Sequence, residues 1–389
     1  MSAETCTGIQ TRRRQFPRRL AALQHAGPAL GVFAAARLTG MLVMAVWAWH
    51  TGRSPRALLA GSWDSDWYLR IAAHGYGRTL RWPDGSVQSD LAFFPLYPGL
   101  VRAVTTVLPV AGGTAGLLVS WTAAGAAAWG VFRIGDRLYG RAVATALVAL
   151  WGLLPHSIVL SMAYTEPVMT AFAAWSLYAV LTRRWLWAGA LAALAGAARP
   201  NGVAVAAAVV VAAGCELAGN RGRGDWRLWA GAALAPAGWA GYVLWVGART
   251  GDLLGGYFAV QTGWTSRFDF GAGTWRFART VVTRPMDLGF TMSLALTAVG
   301  VVLFALFLLE RPPLPLLVYT AVLVAIVVGG SGFFESKPRF LLPAFPLLLP
   351  VACALRKARP GAAVVVIAAL AGLSFAYGAY VLTLATMAL

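Results

Sequence analysis

Leu91-Ala92-Phe93-Phe94-Pro95-Leu96-Tyr97-Pro98 opens a stretch, 91–110, whose reading decides the arrangement of everything that follows it. The stretch is apolar enough to cross a membrane, yet it carries two early prolines and Arg102. One reading makes it a span; the other lays it along the interface or dips it into the bilayer. Counting it as a span inverts every later loop. The preference of Lys and Arg for short cytoplasmic loops arbitrates. With 91–110 at the interface, the turns at Arg133/Arg137/Arg141, Arg183/Arg184, Arg221/Arg223/Arg227, Arg311 and Arg356/Lys357/Arg359 all share the side of the basic N-terminus. That consistency predicts eleven spans, N-terminus inside and C-terminus outside.

Working outward, the apolar runs able to span are about 28–49, 113–133, 141–160, 167–182, 186–198, 202–218, 228–247, 288–309, 314–330, 340–355 and 361–385. A bilayer core of about 30 Å needs roughly 20 apolar residues per helix; only 186–198 is clearly short. Composition agrees: 59% of residues are hydrophobic, 12% are charged and the mean hydropathy is +0.67, too apolar for a soluble domain. The expected fold is therefore an all-α polytopic transmembrane bundle. It comprises a cytoplasmic basic tail at 1–27 and one integral membrane domain at 28–389. Within that domain, 50–112 forms a first extracytoplasmic loop with interfacial helices, and 249–287 forms a second large one.

The net charge of +18 would suggest nucleic acid in a soluble protein. Here most Arg residues flank apolar runs, so membrane anchoring accounts for them and no nucleic-acid partner is expected. Thr11-Arg12-Arg13-Arg14-Gln15-Phe16 resembles a twin-arginine export signal, but no small-residue cleavage site follows it, which favours a retained anchor. Cys6, Cys215 and Cys353 suggest neither a disulfide framework nor a thiolate metal site. The four histidines lack zinc-ligand spacing.

The same topology gathers five polar segments on the outer face: 50–92, Tyr164-Thr165-Glu166, Arg199-Pro200-Asn201-Gly202, 249–287 and Phe334-Glu335-Ser336-Lys337-Pro338-Arg339. The densest signal is 62–76, containing Trp63, Asp64, Asp66, Trp67, Tyr68, Arg70, His74 and Tyr76. A carboxylate partly desolvated at a helix end can serve as a general base. An amphipathic interfacial helix with an aromatic belt and hydrated aspartates fits those residues equally well.

Glu166 opens a span, where it would complement the positive helix end. Arg199 interrupts apolar sequence and needs an anion: a phosphate, or Glu166 or an aspartate. Arg37, near the middle of the first span, is expected to pair with a carboxylate or polar cluster. Glu335, Lys337 and Arg339 form a compact cation-rich loop able to hold a phosphate, and a hydrated juxtamembrane loop would look similar. Segment 249–287 offers Tyr257, Gln261, Trp264, Arg267, Phe268, Asp269 and Trp275, which suit either a sugar site or a lid on the headgroups. There is no phosphate-binding loop and no dinucleotide-binding unit, so an activated donor is expected to arrive through the membrane.

Taken in order, Trp63-Asp64 with Tyr68, Ile71-Ala72 and Gly75-Tyr76, then Ala92 to Pro98, Tyr164-Thr165-Glu166, Arg199-Pro200-Asn201-Gly202 and Pro338-Arg339-Phe340 resemble the PIG-V type of mannosyltransferase and its bacterial relatives. The resemblance implies a GT-C fold, a polyprenyl-phosphate sugar donor with mannose as the sugar, and inverting transfer to a glycan or glycolipid acceptor on the extracytoplasmic face. It gives Asp64 the role of base, with Asp66 as a less secure second catalytic carboxylate. Arg199, Lys337 and Arg339 become ligands for the departing phosphate. Trp63, Tyr68, His74, Tyr76, Glu166, Asn201, Gln261, Trp264, Arg267 and Glu335 are candidates for substrate binding. Pro200 occupies the variable place of the family's Arg-x-Asn-Gly motif. No cofactor is required, although a divalent metal on Asp64 and Asp66 is compatible with the chemistry. A transporter or flippase of a lipid-linked saccharide and a non-catalytic assembly subunit are the rival classes. Against the first, no internal repeat is visible and the polar motifs crowd one face.

Overall fold

The computed structural model describes residues 19–385 apart from Asp84, Arg221 and Arg223. The tail motif at 11–16, Cys6 and the turn arginines Arg221 and Arg223 lie outside the described residues. All eleven apolar runs become helical, but several are broken. Among the described residues, five helices are long and apolar enough to cross a membrane: Gln24–His50, Gly112–Tyr139, Pro200–Gly219, Leu288–Leu309 and Pro360–Thr383. Phe334–Phe340 and Phe345–Lys357 pass the same test together but bend by 76° at their break. Arg141–Gly152, Trp185–Ala198 and Leu314–Gly329 are shorter apolar helices.

Proline accounts for the breaks, because it removes a backbone donor and clashes with the preceding turn. Pro155 follows the end of Arg141–Gly152, Pro236 separates Trp226–Leu234 from Ala237–Thr250, and Pro343 and Pro346 interrupt the 340–355 run. The expected eleven spans are consistent with this architecture, while length and apolarity alone identify five, or six with the bent pair.

The deciding stretch folds as a short turn at Asp90–Ala92 followed by a helix at Leu96–Val107. Twelve residues rise only about 18 Å, well short of a bilayer core. One face of this helix buries Tyr97, Pro98 and Val101, while Arg102 and Val107 are exposed. The first loop also holds the helices Pro55–Gly61 and Asp64–His74, together with an antiparallel hairpin, Thr79–Arg81 with Val87–Ser89, that the sequence did not suggest.

Small residues set the closest helix packing, as they do where lipid removes the hydrophobic drive between helices. Trp185–Ala198 packs on both halves of the Pro236-broken pair. A Cβ at Gly189 or Gly238 would collide with the backbone of Gly231 or Ala193, respectively. The core between helices is filled by fully buried Tyr97, Trp151, Tyr164, Tyr319 and Phe345. Arg37 departs from expectation. It is buried, yet its Nε and Nη1 have no hydrogen-bond partner and no carboxylate among the described residues pairs with it.

Candidate active site

Four charged side chains from distant parts of the chain meet in one cluster. Each is delivered by a local backbone device. Asp64 begins the helix Asp64–His74 and follows Trp63, whose φ of 50° lies in the left-handed region. The helix start is docked by Asp64 N donating to Tyr164 Oη at 3.3 Å and Ser65 Oγ donating to Ala163 O at 3.0 Å. One turn on, Tyr68 Oη lies 3.2 Å from Thr165 Oγ1.

Glu166 opens the helix Glu166–Leu181, with Pro167 in its first turn, where a missing N–H costs nothing. Arg199 ends the preceding helix because Pro200 disfavours the helical region for it; its backbone is extended at φ −157° and ψ 157°. The turn Pro200–Gly202 then closes so tightly that a Cβ at Gly202 would strike the backbone of Ala195. Arg339 comes from the four-residue helix Lys337–Phe340 at the bend of the broken pair.

Arg339 Nη1 donates to Asp64 Oδ2 at 2.7 Å, and Arg339 Nε lies 3.2 Å from Glu166 Oε1. Arg199 Nη1 forms an ion pair with the same Glu166 oxygen. Glu166 is fully buried, the two arginines are 5% and 8% exposed, and Asp64 is 20% exposed, so only Asp64 looks outward. The contacts to Glu166 are charge contacts without aligned hydrogen bonds, and Glu166 Oε2 has no partner. A buried carboxylate satisfied so incompletely is costly for stability alone. Phe340 stacks beneath both guanidinium groups at 5.0 and 5.3 Å, and Tyr164 lies 5.1 Å from that of Arg339.

Asp66 does not join this cluster. Two helical residues differ by about 200° in direction, so Asp64 and Asp66 face opposite ways. Arg70 Nε and Arg78 Nη1 bind Asp66 Oδ2 at 2.9 and 2.8 Å. Burial pushes the Asp66 carboxyl up, but the hydrogen bonds and charges of Arg78 and Arg70 outweigh it and hold it below its ordinary value. No group of three or more His, Cys, Asp or Glu among the described residues could hold a metal. The oppositely directed pair Asp64 and Asp66 does not fit the divalent metal that the chemistry allowed there.

Other candidates are placed elsewhere. Exposed His74 and half-buried Tyr76 line an outer cavity of about 180 Å³ with Trp67, Arg70, Arg78 and Asp90. Tyr76 Oη donates to Phe93 O, and burial raises its phenol. Gln261 Nε2 and Trp264 Nε1 donate to the carbonyls of Ala92 and Ser89, so both brace the first loop. Lys337 Nζ donates to Thr274 Oγ1 and Gly330 O, and it lies 4.6 Å from the Phe334 ring. It fastens 249–287 onto the 330–337 segment, and Phe268 bridges Gly330 beside it. Arg267 is exposed and its carbonyl accepts from Ser331 N; the Glu335 carbonyl accepts from Ser293 Oγ. Asn201 is buried in its turn, and Trp63 is half-buried at the strained position.

Sequence reading gave no site role to Arg78, Asp90 or His156, nor to Phe340, which it quoted only within the Pro338-Arg339-Phe340 motif. His156 is buried with neither ring nitrogen partnered. It borders an apolar cavity of about 70 Å³ between Leu288–Leu309 and the 338–348 segment, lined by Leu303, Pro338, Leu341 and Leu348. Its only advance signal was a lone histidine beside Pro155 in an apolar run.

No protein-family model matches the chain. No curated protein matches it either. Solved structures do. The apo oligosaccharyltransferase of Archaeoglobus fulgidus superimposes with a TM-score of 0.56 at 13% identity, covering 92% of this chain and 56% of that one. ArnT from Cupriavidus metallidurans bound to undecaprenyl phosphate gives 0.55 at 15% identity, covering 87% of this chain and 63% of that one. The chain thus spans somewhat over half the length of either. At these identities the likeness concerns architecture alone: the chain has an all-α, GT-C-like fold similar to that of these two structures.

Proposed function

We propose that the protein is an inverting glycosyltransferase that moves a sugar from a polyprenyl-phosphate donor to an extracytoplasmic glycan or lipid-linked acceptor. Mannose is the sugar on the strength of the motif resemblance. The single observation that carries the reading is the cluster Asp64, Arg339, Glu166 and Arg199, assembled from four separate segments around a buried, incompletely satisfied carboxylate.

Asp64 has the geometry of a base. Its Oδ2 is held by Arg339, which leaves Oδ1 to take the proton of an acceptor hydroxyl. The deprotonated oxygen attacks the anomeric carbon from the face opposite the lipid phosphate. The carbon–oxygen bond to phosphate breaks, its electron pair stays on the phosphate, and the configuration inverts. A β-linked donor gives an α-linked product. Arg199 and Arg339, steadied by Glu166 and Phe340, supply positive charge where the departing phosphate becomes more negative. The apolar cavity lined by Pro338 and Leu341, which flank the Arg339 segment in the chain, offers hydrocarbon walls for the first prenyl units. In the bound form of ArnT the ligand is undecaprenyl phosphate, which is the same class of lipid.

The test is incubation of the purified protein with a panel of polyprenyl-phosphate sugars and an acceptor extract, with released lipid phosphate as the readout. Release that depends on one sugar and on Asp64 supports the reading. No release from any member, with the protein folded, overturns it.

A further inference from the structure

The outer cavity has a composition of its own. Its volume is about 180 Å³ and its walls include Trp67, Arg70, His74, Tyr76, Arg78 and Asp90, while none of the four clustered charges lines it. The separation follows from the Asp64–His74 helix. Asp64 and Tyr68 stand on the face that meets Tyr164 and Thr165, whereas Asp66, Arg70 and His74 recur at i, i+4 and i+8 on the other.

Charge is balanced here. Two guanidinium groups, Arg70 and Arg78, share Asp66, and Asp90 adds a second carboxylate. Asp90 is 1% exposed; its Oδ2 accepts from Gly77 N and Arg78 N at 2.8 Å each, while its buried Oδ1 has no partner. A buried carboxylate oxygen without a donor invites an O–H group. Arg78 also lies 4.6 Å from the ring of Trp67, which fixes that guanidinium against an aromatic wall. An anion would meet a set of charges already neutralised, whereas a neutral polyol meets fixed donors, a free acceptor and aromatic edges together. The volume is below the roughly 300–1,000 Å³ of sites for drug-sized ligands, which limits the occupant to about one ring.

We propose that this cavity binds one uncharged sugar ring, with a hydroxyl donating to Asp90 Oδ1 and ring oxygens accepting from Arg70, Arg78 or His74. Its role in transfer rests on the glycosyltransferase reading. A ring held on this face of the helix is not the ring presented to Asp64, so the cavity anchors a neighbouring ring of an acceptor longer than one sugar.

Binding is measured directly, without turnover, by saturation-transfer NMR and titration with methyl hexosides and with hexose 6-phosphate. The full chain is held in lipid nanodiscs, because common glycosidic detergents would compete. A methyl hexoside should bind, and hexose 6-phosphate should bind no tighter. Asp90→Asn and the surface pair Arg70→Gln with His74→Ala should each weaken methyl hexoside binding about tenfold. The surface pair leaves the fold testable where Asp90→Asn does not. Unchanged binding in the surface-pair variant, or tenfold tighter binding of the phosphate, overturns the proposal. Hexoside binding without any lipid-phosphate release would sink the transferase reading and leave the site, and release without binding would do the reverse.

Discussion

Arg339 touches two carboxylates with different duties, so the two arginines of the cluster should fail differently when removed. Arg199→Ala takes a cation from the proposed phosphate site but leaves Glu166 paired with Arg339; donor-lipid affinity should weaken by about 2 kcal/mol, and turnover should fall with it. Arg339→Ala removes the partner of Asp64 and one of two counter-charges on a fully buried Glu166, so thermal unfolding should also show a loss of about 3 kcal/mol. Equal stability of the two variants would mean that the Asp64–Arg339 pair, which Arg199 does not share, adds nothing to the fold. Asp64→Asn keeps shape but cannot accept a proton, so donor binding should persist while turnover falls by about 10²-fold or more. If Asp64→Asn unfolds the protein instead, Asp64 serves Arg339 structurally.

Asp66 gives the contrasting case. Its folded pKa lies below the unfolded value of about 3.9, so its contribution is present at neutral pH and is lost only as acid protonates it below about pH 4. At 45% exposure that contribution is screened, so Asp66→Asn should change stability by less than about 1 kcal/mol at pH 7. Arg199 was legible because it interrupts apolar sequence and Glu166 because it opens a span, while Asp64 and Arg339 stood in polar stretches marked by the ordered motifs. Arg78, Asp90 and the stacking role of Phe340 were not legible, because their relevance comes from partners brought near only by folding. Lys337 was misleading for the converse reason: its place in a cation-rich loop suggested phosphate, whereas its contacts are with Thr274 and Gly330.

At the scale of elements, strain precedes both ends of the Asp64–Arg339 contact. Trp63 at φ 50° and Phe333 at φ 31° are large residues in a region that favours glycine, each costing about 1–3 kcal/mol. They turn the chain into the helix that begins at Asp64 and the short turns that lead to Arg339. Such turns have no apolar periodicity, so only the adjoining runs could be read from the sequence. The same limit explains the hairpin at 79–89, whose strands have three residues each. The runs themselves were legible, including Leu288–Leu309, because lipid demands unbroken hydrophobicity; where Pro155, Pro236 and Pro343 intrude, composition remains apolar but one helix becomes two. Element orientation is tested by cysteine accessibility in a variant lacking Cys6, Cys215 and Cys353. Arg279→Cys, exposed on Ala272–Thr283, should react with an impermeant maleimide from outside, whereas exposed Asn220→Cys should not. The reverse pattern would mean that the stretch after Leu91 crosses the membrane.

The whole molecule places restrictions on the donor that no single residue does. The positive turns at 133–141 and 356–359 are separated by one apolar run from the segments carrying Glu166 and Arg339, and the topology that puts basic turns in the cytoplasm puts the segments carrying Asp64, Glu166, Arg199 and Arg339 outside. A nucleotide-sugar held in the cytoplasm would then be on the wrong side of the bilayer. The sequence also lacks a nucleotide-binding loop, and the cavity lined by Pro338, beside Arg339 in the chain, has apolar walls rather than those of a polar cleft for a base and ribose. A lipid phosphate meets all three conditions: it reaches the outer leaflet, carries its own apolar anchor and presents a single phosphate to Arg199 and Arg339. Purified protein in nanodiscs should therefore transfer sugar from polyprenyl-phosphate mannose and be inert with GDP-mannose at equal concentration. Adding a cytoplasmic enzyme that loads polyprenyl phosphate from GDP-mannose should restore product through the lipid intermediate. Robust transfer from GDP-mannose with polyprenyl phosphate absent would overturn the donor assignment and, with it, the outward orientation of the site.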